Sequence, residues 1–122
     1  MRSVLQKRID SFRNAFSGIR HLIQTESPAR IHLVMSVAVM GIGLSLSIST
    51  SDWCLVTLAA ALVWAAEAVN TAIERLVDLS SAGHHPLAGQ AKDLAAGAVL
   101  LAALAAAAVG LLVFLPRIAE IL

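Results

Sequence analysis

Tyrosine is absent from this chain, cysteine occurs once, and charged residues make up only 14% of its 122 positions. The lone Cys54 excludes an internal disulfide and matches no metal or redox spacing, which leaves it a small apolar packing role. A net charge of +1 with no basic block excludes the electrostatic footprint of a nucleic-acid binder. Neither nucleotide-binding glycine pattern occurs: there is no Gly-x-x-x-x-Gly-Lys-Ser/Thr run and no Gly-x-Gly-x-x-Gly run. Gly41-Ile42-Gly43 has no strand around it and is read as helix packing. What is abundant is apolar side chain, 58% of the chain, more than a soluble domain of this size carries. A small integral membrane protein follows. The first apolar run begins only after about thirty polar or amphipathic residues and has no small-residue cleavage site, so no removable leader is expected.

Residues 1–24 place Val4, Leu5, Ile9, Phe12, Phe16, Ile19 and Ile23 at three- and four-residue steps, with Arg2, Lys7, Arg8, Arg13 and Arg20 on other faces. This pattern predicts an amphipathic helix lying on a membrane surface, its basic residues meeting anionic headgroups or a phosphate. Thr25-Glu26-Ser27-Pro28 reads as a break and restart, with Ser27 as the cap and Pro28 at the first helical position. A first span is expected over 28–48, whose stretch from Leu33 to Ile48 carries no charge. A polar turn, Ser49 to Asp52, precedes Trp53, an interface anchor that opens a second span over 53–79. A second loop leads to Pro86 and a third span over 86–115, uncharged from Leu94 onward, with Pro116 expected to end it. The fold class is therefore all-α integral membrane, one domain over 1–122.

Charge sets the expected orientation. Six Lys or Arg precede the uncharged run that begins at Leu33, none lies in the turn at 49–52, two stand at Arg75 and Lys92, and one follows the third span. The positive-inside rule then puts the N-terminus and the second loop in the cytosol. In the second span Glu67, Asn70, Glu74 and Asp78 fall within an arc of about 80° at 100° per residue, one polar ridge on an otherwise apolar helix. Counting from Trp53, Glu67 lies about 21 Å along the axis, roughly two-thirds of the way through a ~30 Å core. Ionisable groups at that depth are costly and mark a functional site by default. Arg75 points off the ridge and is read as an interfacial charge. Glu26, Glu74, His84, His85, Lys92 and Asp93 converge on the same side of the membrane.

Two glutamates from different helices, Glu26 and Glu74, suit Mg²⁺ when phosphate oxygens or water complete its shell, because magnesium is usually held by one or two carboxylates plus substrate phosphates. Lys92 could pair with phosphate charge, and Asp78 or Asp93 could complete the shell or hold the nucleoside. Glu67, deeper, is suited to take a proton from a hydroxyl arriving from the bilayer. The adjacent His84 and His85 diverge on any regular element and lack further ligands, so they do not make a zinc site. On residues alone, phosphoryl transfer to a lipid and a proton or cation relay along the ridge stand level, with a non-catalytic assembly module as a third reading.

The run Glu67-Ala68-Val69-Asn70-Thr71-Ala72-Ile73-Glu74, closing on Val77-Asp78, is followed by His85-Pro86-Leu87-Ala88 and by Ala91-Lys92-Asp93 leading to Ala95-Ala96-Gly97-Ala98-Val99. With Phe12-Arg13-Asn14, Gly18, Glu26 and Arg30-Ile31-His32 upstream, it resembles the signature of the prokaryotic diacylglycerol kinase family, which includes the undecaprenol kinases. The resemblance implies a homotrimer of three-span subunits with a surface helix and shared active sites. Its activity would be transfer of the ATP γ-phosphate to a membrane lipid alcohol with Mg²⁺ at the cytosolic face of a bacterial inner membrane. It makes Glu67 the general base and part of the substrate site with Lys7 and Arg8, and Glu26 and Glu74 the metal ligands. The ATP contacts it implies are Asn14, Glu26, Asn70, Glu74, Asp78, Gly83, His84, His85, Lys92 and Asp93. The chain departs from the diacylglycerol branch where that branch has tyrosines, at Asn14 and His84, and where it usually has an acid, at His32. The Glu26 to His32 stretch and the Phe114-Leu115-Pro116 ending look more like the undecaprenol kinase branch.

Overall fold

A computed structural model describes residues 1–80 and 83–122, and every regular element in it is an α-helix. In chain order these are α1 (Val4–Thr25), α2 (Ser27–Ser45), α3 (Thr50–Ser80) and α4 (Pro86–Ile121). Among them α2, α3 and α4 are long and apolar enough to cross a membrane. At ~1.5 Å per residue α2 is about 28 Å long, close to the hydrocarbon thickness, whereas α3 at about 46 Å must project well beyond it. That overhang lets one helix carry both membrane-depth and water-facing polar residues.

The corner between α1 and α2 is a single extended residue, Glu26, at φ −107° and ψ 118°. Its N–H donates to Leu22 O at 2.9 Å, and Arg30 reaches back to donate to the α1 carbonyls of Gln24 (3.0 Å) and Ile23 (3.4 Å). The expected cap is therefore displaced by one residue: Ser27 is already helical, Glu26 is the N-cap, and its side chain makes no capping bond. That carboxylate is engaged elsewhere. Pro28 lies in the first turn, where its missing N–H costs nothing.

The α2–α3 turn is tight. Leu46 N donates to Ile42 O at 2.9 Å, Ile48 N to Gly43 O at 3.3 Å, and Ser47 takes a left-handed φ of 50°. The helix of the first span thus stops at Ser45, three residues before Ile48, while α3 starts at Thr50, with Ser49 Oγ accepting from Asp52 N at 3.1 Å. Ile48, Val56 and Val113 are buried together here, with Val39, Trp53 and Phe114 packed against them. Gly43 is required by this packing, because a Cβ on it would lie 2.7 Å from Trp53 Cη2 and 2.9 Å from Cζ2.

α3 and α4 form the most extensive helix pair, and their ion pairs show that they run antiparallel. Asp52 at the start of α3 faces Arg117 near the end of α4 at 3.6 Å, while Asp78 near the end of α3 pairs with Lys92 near the start of α4. Pro116 does not end the last helix, contrary to the expectation from sequence; α4 continues to Ile121. A proline in a helix loses one backbone bond and strains the preceding turn. Here Arg117 fastens the turn that contains it onto α3.

Candidate active site

The ridge on α3 is present, and the structure grades it by burial. Glu67 is only 4% exposed, Thr71 is 7% exposed, Asn70 and Glu74 are half-buried and Asp78 is exposed. Burial falls away along the helix from Glu67 to Asp78. Asn70 Nδ2 donates to Glu74 Oε1 at 3.3 Å, the one-turn spacing that lets two side chains meet on a helix face. This leaves Asn70 Oδ1 and Thr71 Oγ1 buried with no hydrogen-bond partner among the described residues. Buried polar atoms are normally satisfied, so two orphans beside the ridge stand out.

Facing Glu67 on α2 is His32, with Nε2 at 3.6 Å from Glu67 Oε2. One turn along α2, Ser36 Oγ accepts from Trp64 Nε1 at 3.1 Å, and the Trp64 ring meets His32 edge-on at 6.3 Å between centroids. Residues 32 and 36 of α2 therefore interlock with residues 64 and 67 of α3. An apolar cavity of about 470 Å³ opens from this interlock between α2, α3 and α4, running from His32, Ser36 and Trp64 to Trp53 and Phe114. His32, which contacts the buried carboxylate, lines this hydrocarbon-walled space, whereas Glu67 itself does not.

Nearer the loop end, Arg75 does not behave as a free interfacial charge. Its guanidinium donates to Glu26 Oε1 at 2.9 Å and to Thr25 Oγ1 at 3.4 Å and lies 3.1 Å from His21 Nε2, tying α3 to the end of α1. The sequence reading considered only which face of α3 Arg75 occupies, and missed that α1 folds back to meet that face. Glu26 is thereby fixed against α3 at Arg75, the residue next to Glu74 in sequence.

The other candidate residues form a looser set. Lys92 Nζ donates to Asp78 Oδ1, closing the start of α4 onto the ridge. Asp93 and His84 are exposed. His85 is the N-cap of α4, its Nδ1 accepting from Leu87 N at 3.2 Å, so the ring has a structural task at the helix start. Gly83 is exposed at the edge of the described loop. Lys7, Arg8 and Asn14 lie exposed on α1, away from the cluster around Glu67. The subunit therefore pairs His32 with Glu67, Asn70 with Glu74, Glu26 with Arg75 and Asp78 with Lys92 along α3, and among the described residues no side-chain bond joins Lys7, Arg8 or Asn14 to the ridge.

Among the described residues no three His, Cys, Asp or Glu side chains group tightly enough to hold a metal by themselves. The donors nonetheless fit magnesium of the phosphate-dependent kind. Glu74 and Asn70 share one face of α3, where Asn70 Oδ1 is a hard oxygen with no partner among the described residues, while Glu26 at the α1–α2 corner is held by Arg75 of the same helix as Glu74. Such a set needs ligand oxygens from elsewhere to complete it.

The profile of the family described as prokaryotic diacylglycerol kinase matches residues 13–114, a stretch that contains all of this cluster. The chain belongs to that family. It is 38% identical over 117 residues to "Undecaprenol kinase" of Bacillus subtilis (strain 168), a match spanning 96% of this chain and 95% of that one. It is 40% identical over 113 residues to "Diacylglycerol kinase" of Synechocystis sp. (strain ATCC 27184 / PCC 6803 / Kazusa), a match spanning 92% of this chain and 65% of that longer relative. Within the family match, His32 contacts the ridge at Glu67, while His21 and Arg75 meet each other beside it. The signal for His32 was its place in the resemblance, where the diacylglycerol branch usually has an acid; nothing local pointed to His21.

Proposed function

We propose that this membrane lipid kinase transfers the γ-phosphate of ATP to the hydroxyl of a membrane lipid, with Glu67 as general base. The observation that carries the reading is a buried carboxylate in contact with His32, which lines an apolar cavity, on the helix whose farther turns carry Asn70, Glu74 and Asp78 toward water. In the transfer, Glu67 takes the hydroxyl proton. The lipid oxygen forms a bond to the γ-phosphorus while the bond from that phosphorus to the β–γ bridging oxygen breaks, and ADP leaves with the electron pair.

Glu26 and Glu74 would hold Mg²⁺, which supplies charge neutralisation on the phosphates. Asn70 orients Glu74 through the bond they already share. Asp78, Lys92 and Asp93, with Asn14, Gly83, His84 and His85, make the nucleotide side of the site. Lys92 is positioned by Asp78 near the ridge rather than free in solvent. Lys7 and Arg8, on an α1 whose Leu5, Phe12 and Phe16 are exposed, receive the lipid headgroup as α1 lies along the membrane surface.

The arrangement of Lys and Arg puts the N-terminus and the α3–α4 loop in the cytosol, and with them the nucleotide. The α1 residues lie apart from the ridge in one subunit, which supports a homotrimer in which neighbouring chains complete each site. Undecaprenol is the preferred acceptor, since the relative matched over nearly its whole length is named for it. Purified protein offered undecaprenol and diacylglycerol in parallel with radiolabelled ATP and Mg²⁺ tests the reading: phosphorylated undecaprenol in excess is expected, label in neither lipid refutes the kinase, and excess phosphatidic acid refutes the acceptor.

A further inference from the structure

The ionisable side chain that faces the proposed base is an imidazole, and the chemistry above gives it no task. His32 Nε2 stands 3.6 Å from Glu67 Oε2, with the histidine side chain 18% exposed and the glutamate side chain 5% exposed. The distance is longer than a hydrogen bond, and catalytic contacts in ligand-free enzymes are often long and tighten when the reacting complex forms. The imidazole also meets the Trp64 ring in a T-shaped arrangement, and that ring is in turn fixed by its bond to Ser36 one turn along from His32. A ring located by two neighbours and aimed at one oxygen of a buried carboxylate is placed, not merely packed. It also stands on the polar rim of the apolar cavity, between that space and Glu67.

We propose that His32 is a positioning residue that donates from Nε2 to Glu67 Oε2, directing the other carboxylate oxygen at the incoming lipid hydroxyl. A carboxylate oxygen that accepts from a fixed donor has its rotation about the last side-chain bond restricted, so the free oxygen is presented in one orientation. Misplacing a reacting group by about 1 Å can cost about 10²-fold in rate. Since the N–H on His32 is anchored in the protein rather than in the substrate, its contribution falls on the reacting step and not on the binding of either substrate. This inference rests on the reading of Glu67 as the base.

The test is a comparison of steady-state kinetics for the wild type, His32→Ala and His32→Gln in lipid bicelles, with the His32 Nε2 resonance recorded by selective ¹⁵N-histidine labelling in the wild type and in Glu67→Gln. Expected are a kcat lower by about 10²-fold in His32→Ala with both KM values within about twofold. Recovery to within about tenfold of wild type is expected in His32→Gln, whose amide nitrogen takes the place of Nε2. The Nε2 resonance should move when Glu67 becomes Gln. A His32→Ala kcat within about threefold of wild type, or a loss confined to KM, overturns the proposal. So does a glutamine variant no better than the alanine one. If the wild type phosphorylates no lipid, the kinase reading is what fails; the resonance then decides the pairing alone, and an unmoved Nε2 overturns it.

Discussion

At the α2–α3 turn, Gly43 lies under the Trp53 ring and Ile48, Val56 and Val113 are buried together, with Arg117 paired to Asp52 and Glu120 at the edge. Some twenty residues further along α3, the same helix meets its neighbours through His32, Glu26 and Lys92, and two polar atoms of Asn70 and Thr71 are buried without partners. One end of the bundle is held by apolar packing beside the cavity and the other by charge. Close packing gives rigidity without leaving groups that a ligand could engage. The polar end does the opposite: its carboxylates and amide are held in place yet incompletely satisfied, a state that costs stability and is retained where it serves binding or reaction. The contrast assigns stability to the turn end and chemistry to the ridge end, and substitutions at the two should separate those properties.

The largest separation is expected from Glu74→Ala. It removes one of two proposed metal carboxylates and the acceptor of the Asn70 bond, so turnover should fall by about 10²-fold or more, with the midpoint of thermal unfolding in detergent moving little. A variant that retains wild-type turnover across a Mg²⁺ titration would break the assignment. At the other end Gly43→Ala places a methyl within 2.9 Å of two Trp53 ring carbons. Overpacking of this kind costs about 1–3 kcal/mol, to be read as a lower unfolding midpoint, while kcat per folded enzyme stays near wild type. Loss of turnover without loss of stability there would erase the division between the ends. Arg75→Ala should have the smallest effect on stability, about 1 kcal/mol or less, because its side chain is half-exposed where it meets Glu26. Its signature is instead faster protease cleavage in α1, which loses its tie to α3, and a lower Mg²⁺ concentration for half-maximal turnover, as Glu26 loses a competing cation.

How far these features could be read beforehand depended on their range. The apolar stretches and the ridge follow from composition and from 100° spacing within one helix, so three membrane-length helices and the common face of Glu67, Asn70, Glu74 and Asp78 were legible in the sequence. What was not legible involves contact between helices. Arg75 looked like a surface charge because nothing local shows that the α1–α2 corner is a single residue and folds Glu26 back onto α3. The helix after Pro116 was missed because the tendency of proline to end helices was weighed without the Arg117–Asp52 pair. Glu67 was found from its own helix, but its partner on α2 depends on the register in which α2 and α3 cross, and Ser36 with Trp64 sets that register.

The central claim is that Glu67 receives the lipid hydroxyl's proton, and the measurement that reaches it most directly is the single-turnover rate of lipid phosphorylation by Glu67→Gln at saturating ATP, Mg²⁺ and lipid. Glutamine keeps the size and a hydrogen-bonding oxygen but cannot accept the proton, so the account predicts a rate lower by about 10²- to 10⁴-fold with nucleotide binding preserved. A rate within about threefold of wild type would contradict it and leave the buried carboxylate without a part in the transfer.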